Sequence, residues 1–477
     1  MKKLTYDPAD GKNFWDAIRK LPGFPAHETM PIKEMIFESD ALFRTSDILK
    51  SIGADQSAPL MVVMDETSMQ RNGEDLKELA LTLLRNDGWN VRVVSMRADE
   101  SGQVHTDMPH IREVQASLRH GCSVLSIGSG VITDIAKHGC FLYQQATNEM
   151  VPFAVFQTAN SVSAFTSNMS PTFVDGVKRT LDSRYPDALI CDLETLRDAP
   201  KEMTAGGVGD MLAVFVSFPD WYLAYKLGMD STYSELAKNL VGPLDELLID
   251  HAEGIRNGDL ESVAMLAKII ALGGLAMSLS HATTPMSGFE HVMSHVLDLQ
   301  AEINHAPLTI HGSQVAIATL AGTEMYHRFL SDFDPDSLDV NDCYPNMDTM
   351  KQRIEKNFSV IDPSGKAGEE CWVDYKQKLE KWHASRSYFE STLKEWKTLR
   401  TELAKETRSP EVIMQILEAV AAPVRWSQLI PAVNEEQARF AFLNASLMRK
   451  RLTLGDLLIF SGWDREALWK DIWKKYK

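Results

Sequence analysis

The sequence predicts an α/β domain with a mainly parallel sheet over residues 1–198, followed by an all-α domain over 199–477. Three observations carry this. Between residues 58 and 193, short apolar runs alternate with segments of helical period, which is how βαβ units read in sequence. No strand run of comparable quality follows residue 198. A chain of 477 residues also exceeds what one ordinary hydrophobic core organises, so two domains are expected.

The strand runs, in order, are Leu60 to Met64, Val91 to Ser95, Ser123 to Ile127, Phe153 to Phe156 and Ala188 to Cys191. They are rich in Val, Leu, Ile and Phe and mostly bounded by Asp, Gly, Pro or Asn, as strands buried on both faces are. Between the fourth and fifth, Pro171 to Thr180 alternates around Asp175-Gly176, a hairpin signal. Beyond 198, helical period runs through Ser231 to Ile255, Leu260 to Leu279, Gly312 to Phe329, Gln377 to Glu406 and Pro410 to Ala421. Ser331 to Asn346 reads as an exposed loop, and Glu369 to Lys405 as a solvated amphipathic helix pair.

A formal charge of −17 argues against nucleic acid or an anionic membrane as partner, since both reward clustered Lys and Arg. Five cysteines without CxxC spacing disfavour a zinc ribbon or disulfide framework and suit a reducing cytoplasm. The first residues lack the apolar core of a secretory signal. The apolar stretch Val263 to Leu279, interrupted by Lys268, reads as too short to span a bilayer. A homo-oligomer, specifically a dimer, is expected.

The most informative local pattern is His291 and His295, four residues apart in a segment, 287–303, that reads as helical. Such residues project from one helix face. His311-Gly312 returns twenty residues after His291. Upstream, Thr204-Ala-Gly-Gly-Val-Gly-Asp210 reads as a glycine-rich loop opening into an apolar helix, with Asp210 in the first turn, where a carboxylate is favoured. Alone, Asp210 reads as a helix-capping or first-turn acid and each histidine as a hydrogen-bonded core residue. Together they read as a divalent metal site with an open position, suited to zinc, nickel or iron.

Gly128-Ser129-Gly130 follows a strand and opens a helix. The pattern fits either a tight turn or a phosphate loop whose backbone N–H groups face a diphosphate. Its place at the carboxyl end of a central strand favours the loop, and the sheet reads as Rossmann-like although the third glycine of GxGxxG is missing. Asp65, after the first run, reads as a ribose acceptor or an ordinary turn carboxylate. Lys178 reads as an anion holder or an exposed strand lysine.

Jointly, Gly128 to Asp134, Ser161 to Ser167, Gly176 to Thr180, Ala199-Pro200, Ala205 to Asp210, Asp220-Trp221, Ser287 to His291, Ser294-His295 and His311-Gly312 resemble the sn-glycerol-1-phosphate dehydrogenases. These sit in the wider dehydroquinate synthase-like group with glycerol dehydrogenase and iron-dependent alcohol dehydrogenases. The resemblance implies a nucleotide-binding domain, a helical domain and a divalent metal in the cleft between them. By the same resemblance Asp210, His291 and His311 match the metal ligands, and His295 a histidine that contacts substrate or relays protons. Gly128, Ser129, Gly130, Asp134, Thr158, Asn160 and Ser161 are taken as binding NAD or NADP, and Lys178 as holding a substrate phosphate.

The implied reaction interconverts dihydroxyacetone phosphate and sn-glycerol 1-phosphate, or a related polyol phosphate, in phospholipid metabolism. Two rivals are a dehydroquinate synthase-like lyase using NAD transiently, and a divergent member with altered substrate or lost catalysis. The second has one hint: relatives carry Asp-Gly where this chain has Ser163-Ala164. A hydroxyl hydrogen-bonds there but is no base near neutral pH. Gln157 also stands where a proline is usual.

Overall fold

The computed structural model describes residues 2–28, 30–100, 102–174 and 177–477, with the side chains of Val177 and Lys178 outside that description. The strands are β1 (Glu34–Glu38), β2 (Pro59–Asp65), the two-residue β3 (Gln70–Arg71) and β4 (Glu74–Asp75), β5 (Asn90–Met96), β6 (Ser123–Gly128), β7 (Phe153–Gln157), β8 (Met169–Val174), β9 (Val177–Asp182) and β10 (Ala188–Asp192). Six of them form one sheet in the order β1-β10-β7-β6-β2-β5, every neighbouring pair parallel. All five expected runs are strands of this sheet.

Strand β1 lies outside the sequence expectation. It pairs with β10 from Glu34 opposite Ala188 to Glu38 opposite Asp192. As an edge strand its two glutamates reach water, so the apolar signal shrinks to Met35-Ile36-Phe37. The expected hairpin forms as antiparallel β8 and β9, with its Asp175-Gly176 turn outside the described residues.

Leu60, Val62, Leu125, Ile127, Phe156 and Ile190 pack with Leu76, Leu81, Leu84 and Trp89 in one core beside the sheet. The chain steps outward from β2 to β5 and then crosses back to place β6 on the other side of β2. That reversal is the switch point at which open α/β sheets offer a crevice beyond the strand ends. Asp65 closes β2 and Gly128 closes β6.

The chain packs as two compact units, Met1–Met211 with Glu235–Ser280, and Leu212–Ser234 with His281–Lys477. This division differs from the boundary expected at 198, because three helices from 235 to 279 group with the sheet-bearing residues. Hydrogen bonds supply the reason. Asn160 Nδ2 donates to Val263 O (3.1 Å), Thr166 Oγ1 to Ala271 O (2.7 Å), and Asn168 N to Ser278 Oγ (2.9 Å). Lys268 pairs with Asp7 at 2.7 Å.

These bonds anchor the helix Leu260–Leu279, whose twenty residues are long and apolar enough to cross a membrane by length and composition. The shorter span expected for it is thereby corrected. Burial explains the apolarity, since 78 % of its most apolar window lies inside the protein.

The second unit is helical throughout the described residues. Where one helix pair was expected, the segment forms Lys366–Ala384, Arg386–Lys394 and Trp396–Glu406. The expected loop at Ser331 to Asn346 contains two short 3-10 turns, Pro335–Ser337 and Val340–Cys343.

Candidate active site

Only Ser129 separates the end of β6 from the helix Gly130–Thr147, so the unpaired first N–H groups of that helix lie at the switch point. Both glycines are required by space. A Cβ at Gly128 would lie 2.5 Å from Ile132 Cβ, and one at Gly130 2.5 Å from Val162 Cγ2. Thr158 N donates to Gly128 O (3.2 Å), which ties the loop after β7 to the loop after β6.

Thr158 and Ser161 are nearly buried and Asn160 wholly so. The Asn160 amide is engaged at both ends, its Oδ1 accepting from Gln157 Nε2 at 2.7 Å while its Nδ2 serves Val263 O. That geometry gives Asn160 the task of shaping the loop. Gln157 is satisfied in turn, its Oε1 taking the Cys191 thiol at 3.4 Å.

Asp65 has its carboxylate held by Lys77 Nζ (2.5 Å) and Thr67 Oγ1 (2.8 Å). Asp134 pairs with the fully buried Lys137 at 2.6 Å, and Lys137 Nζ also donates to Ala164 O (3.0 Å). The same ammonium therefore supports the turn Ser163–Thr166 from beneath.

Asp210 lies near the end of the helix Lys201–Leu212, one residue after Gly209, and is buried. The expected loop with Asp210 in a first turn is thus corrected: Thr204 to Gly209 are helical. The glycines answer to packing, since a Cβ at Gly207 would sit 2.0 Å from Asn160 O.

His291 and His295 stand on the helix Phe289–Ile303, as the spacing predicts, and His311 opens the helix His311–Asp332. The ring centroids of His291 and His311 are 5.2 Å apart, and those of His295 lie 6.4 and 6.2 Å from them. His291 Nδ1 is 2.8 Å from Glu290 Oε1. Ser294 Oγ donates to Gln314 Oε1 (2.7 Å) and so faces His311 Nδ1 (3.3 Å) as acceptor. With Nδ1 protonated in each ring, as these partners suit, Nε2 keeps its lone pair.

Asp210, His291 and His311 each offer one ligand atom, and all three atoms lie within 4.8 Å of one another. The donor set, one carboxylate and two imidazoles, fits a borderline divalent cation. Glu290 and Ser294 are side chains the sequence reading gave no separate role. The available signal was a glutamate directly before His291 and a serine one helical turn after it.

Lys178 sits in β9 opposite Phe173, and its side chain lies outside the described residues. Ser163 is buried in the 3-10 turn Ser163–Thr166. A Cβ at Gly274 would meet Thr166 Oγ1 at 2.3 Å and Ser163 O at 2.5 Å, so the turn is pressed closely onto the helix behind it.

A model of iron-containing alcohol dehydrogenases matches residues 36–200. The glycerol-1-phosphate dehydrogenase [NAD(P)+] of Bacillus subtilis (strain 168) is 28 % identical over 308 residues, 64 % of this chain and 75 % of that protein. That of Geobacillus thermodenitrificans (strain NG80-2) is 25 % identical over 84 % of this chain and 86 % of its own length. The Pyrococcus furiosus protein of the same name is 27 % identical over 60 % and 77 %.

Among solved structures, an alcohol dehydrogenase from Oenococcus oeni aligns with a TM-score of 0.54 at 14 % identity, covering 93 % of this chain and 98 % of that one. A probable glycerol dehydrogenase from Sinorhizobium meliloti 1021 aligns at 0.53 and 14 %, covering 92 % and 98 %, and both show the fold. By motif and by relatives, the chain is similar to the glycerol-1-phosphate dehydrogenases [NAD(P)+], and over residues 36–200 to the iron-containing alcohol dehydrogenases.

Proposed function

We propose that this chain is a metal-dependent, NAD(P)-linked dehydrogenase that interconverts dihydroxyacetone phosphate and sn-glycerol 1-phosphate or a closely related polyol phosphate. The observation that carries the reading is the closeness of the Asp210, His291 and His311 ligand atoms, all within 4.8 Å. Its relatives bearing the name glycerol-1-phosphate dehydrogenase [NAD(P)+] support the substrate class.

In this reading Asp210, His291 and His311 hold one divalent ion, zinc, nickel or iron. When bound, the nicotinamide carries the hydride and the cation stabilises the negative charge that develops on the reacting oxygen. Gly128, Ser129 and Gly130 bring backbone N–H groups to the cofactor diphosphate, and Asp134 steadies the helix behind them through Lys137. Thr158 and Ser161 face the cofactor, with Asn160 fixing their loop. Asp65, at the end of β2, receives a ribose hydroxyl while keeping its bond to Lys77.

His295, beside both ligand imidazoles, passes the alcohol proton onward, since imidazole titrates in the working range. Lys178 secures the substrate phosphate. Ser163 presents a hydroxyl to the substrate without acting as base. The proposed setting is the cytoplasm, as a homodimer, and the five free, buried cysteines fit reducing surroundings.

The test is dihydroxyacetone phosphate reduction with NADH and NADPH across a zinc, nickel and iron panel, beside Ser163→Asp and His291→Ala. Steady net oxidation of the nicotinamide by the wild type, lost in His291→Ala, is the expected result. Turnover without net nicotinamide oxidation would instead mark a lyase. Activity confined to Ser163→Asp would move the wild-type substrate away from this pair.

A further inference from the structure

Two buried carboxylates beside the histidines have no task in this reaction. Glu290 is wholly buried, and its Oε1 accepts from Gly288 N (2.7 Å) as well as facing His291 Nδ1 (2.8 Å). Asp220 Oδ2 accepts from Phe289 N (2.8 Å), and its Oδ1 from Tyr326 Oη (2.6 Å) and Leu454 N (2.7 Å). These five groups come from the start of the His291 helix, the helix opened by His311 and the helix Leu454–Phe460.

Gly288 allows the arrangement. A Cβ there would stand 2.8 Å from Asp220 Oδ2 and 2.8 Å from Glu290 Oε2, so only glycine lets both carboxylates close on one helix terminus. Arg451 secures the approach to it, donating to the Ser287 carbonyl and to Thr283 Oγ1 (2.9 Å).

Placing two carboxylates in so dry a surrounding costs far more than an apolar filling would. That cost is offset where a carboxylate orients a metal-binding imidazole. Its negative charge keeps the ring proton on the near nitrogen and raises the basicity of the far one. From this geometry we propose that Glu290 is a positioning residue of the metal centre, holding His291 with its proton on Nδ1 so that Nε2 meets the ion, while Asp220 fixes the helix end that carries both. The inference rests on the metal reading above.

The experiment measures binding of zinc alone to metal-stripped full-length protein, by competition with a chromogenic chelator. It compares wild type, His291→Ala, Glu290→Gln and Glu290→Ala, and records the melting temperature of each stripped protein. Glu290→Gln keeps an acceptor but loses the charge and is expected to bind about tenfold more weakly. Glu290→Ala loses both and is expected near a hundredfold, the range seen when such partners are removed.

Affinities within threefold of wild type in both variants overturn the proposal, even if the melting temperature falls, because that is the signature of a purely structural glutamate. Should Glu290→Ala fail to fold, Glu290→Gln alone decides by the same threefold limit. If wild type and His291→Ala bind zinc equally, the metal reading itself fails. If only His291→Ala loses binding, the metal reading stands and this inference alone falls.

Discussion

His138 shows how one buried side chain writes a pH dependence into the fold. It lies on the helix that opens at Gly130, 4 % exposed, with its ring stacked on Phe141 at 5.6 Å. Burial, helped by the charge of Lys137, pushes its pKa down from 6.5 to about 4. Between those values the unfolded chain takes up a proton that the folded chain refuses, so stability falls as pH drops from 6.5 towards 4. The loss is of order 1–3 kcal/mol at about 1.4 kcal/mol per unit. Urea unfolding at pH 6.5 and 4.5 measures it, and His138→Gln is expected to lose that much less over the interval.

The same scale shows what a sequence carries and what it hides. The four-residue spacing of His291 and His295 is a property of the helix and could be read directly. The Glu290 bond to His291 and the Ser294 bond to His311 depend on burial and on a second helix, neither of which spacing reveals.

Among elements, the strands of a parallel sheet were legible because both faces are buried and nearly every residue is apolar, as in Val62-Val63 of β2 or Leu125 of β6. Edge strand β1 was not, because two of its five residues are glutamates. The helix Lys201–Leu212 reads as a loop in sequence because Gly206, Gly207 and Gly209 weigh against a helix interior locally. Tertiary packing outweighs that penalty at Gly207, where the carbonyl of Asn160 occupies the place of a side chain.

Asn160 itself joins two elements, the loop after β7 and the helix Leu260–Leu279. Asn160→Ala leaves buried partners unsatisfied, which costs about 1–3 kcal/mol. Because Thr158 and Ser161 flank it, the variant is expected to weaken NADH binding in a fluorescence titration while its metal content stays at the wild-type level. A variant that lowers the melting temperature but binds NADH normally would separate the loop from the cofactor.

For the whole molecule, an ion bound only by the folded state adds to folding free energy by mass action. Three donors contributed from residues 210, 291 and 311 span a hundred positions of chain, and the unfolded chain does not hold them together. With free metal at a hundred times its dissociation constant the stabilisation is about 2.7 kcal/mol, and at a thousand times about 4.1 kcal/mol. For a chain of this length each kcal/mol moves the melting temperature by at most a few degrees, so a rise of several degrees on adding zinc or nickel is expected. Chelator should reverse the rise. His291→Ala and His311→Ala should each melt at one temperature with or without metal, because either change removes an imidazole from the donor set. A metal-induced rise that survives in both would mean that the stabilising ion sits elsewhere on a surface carrying a net charge of −17, where acidic groups are plentiful.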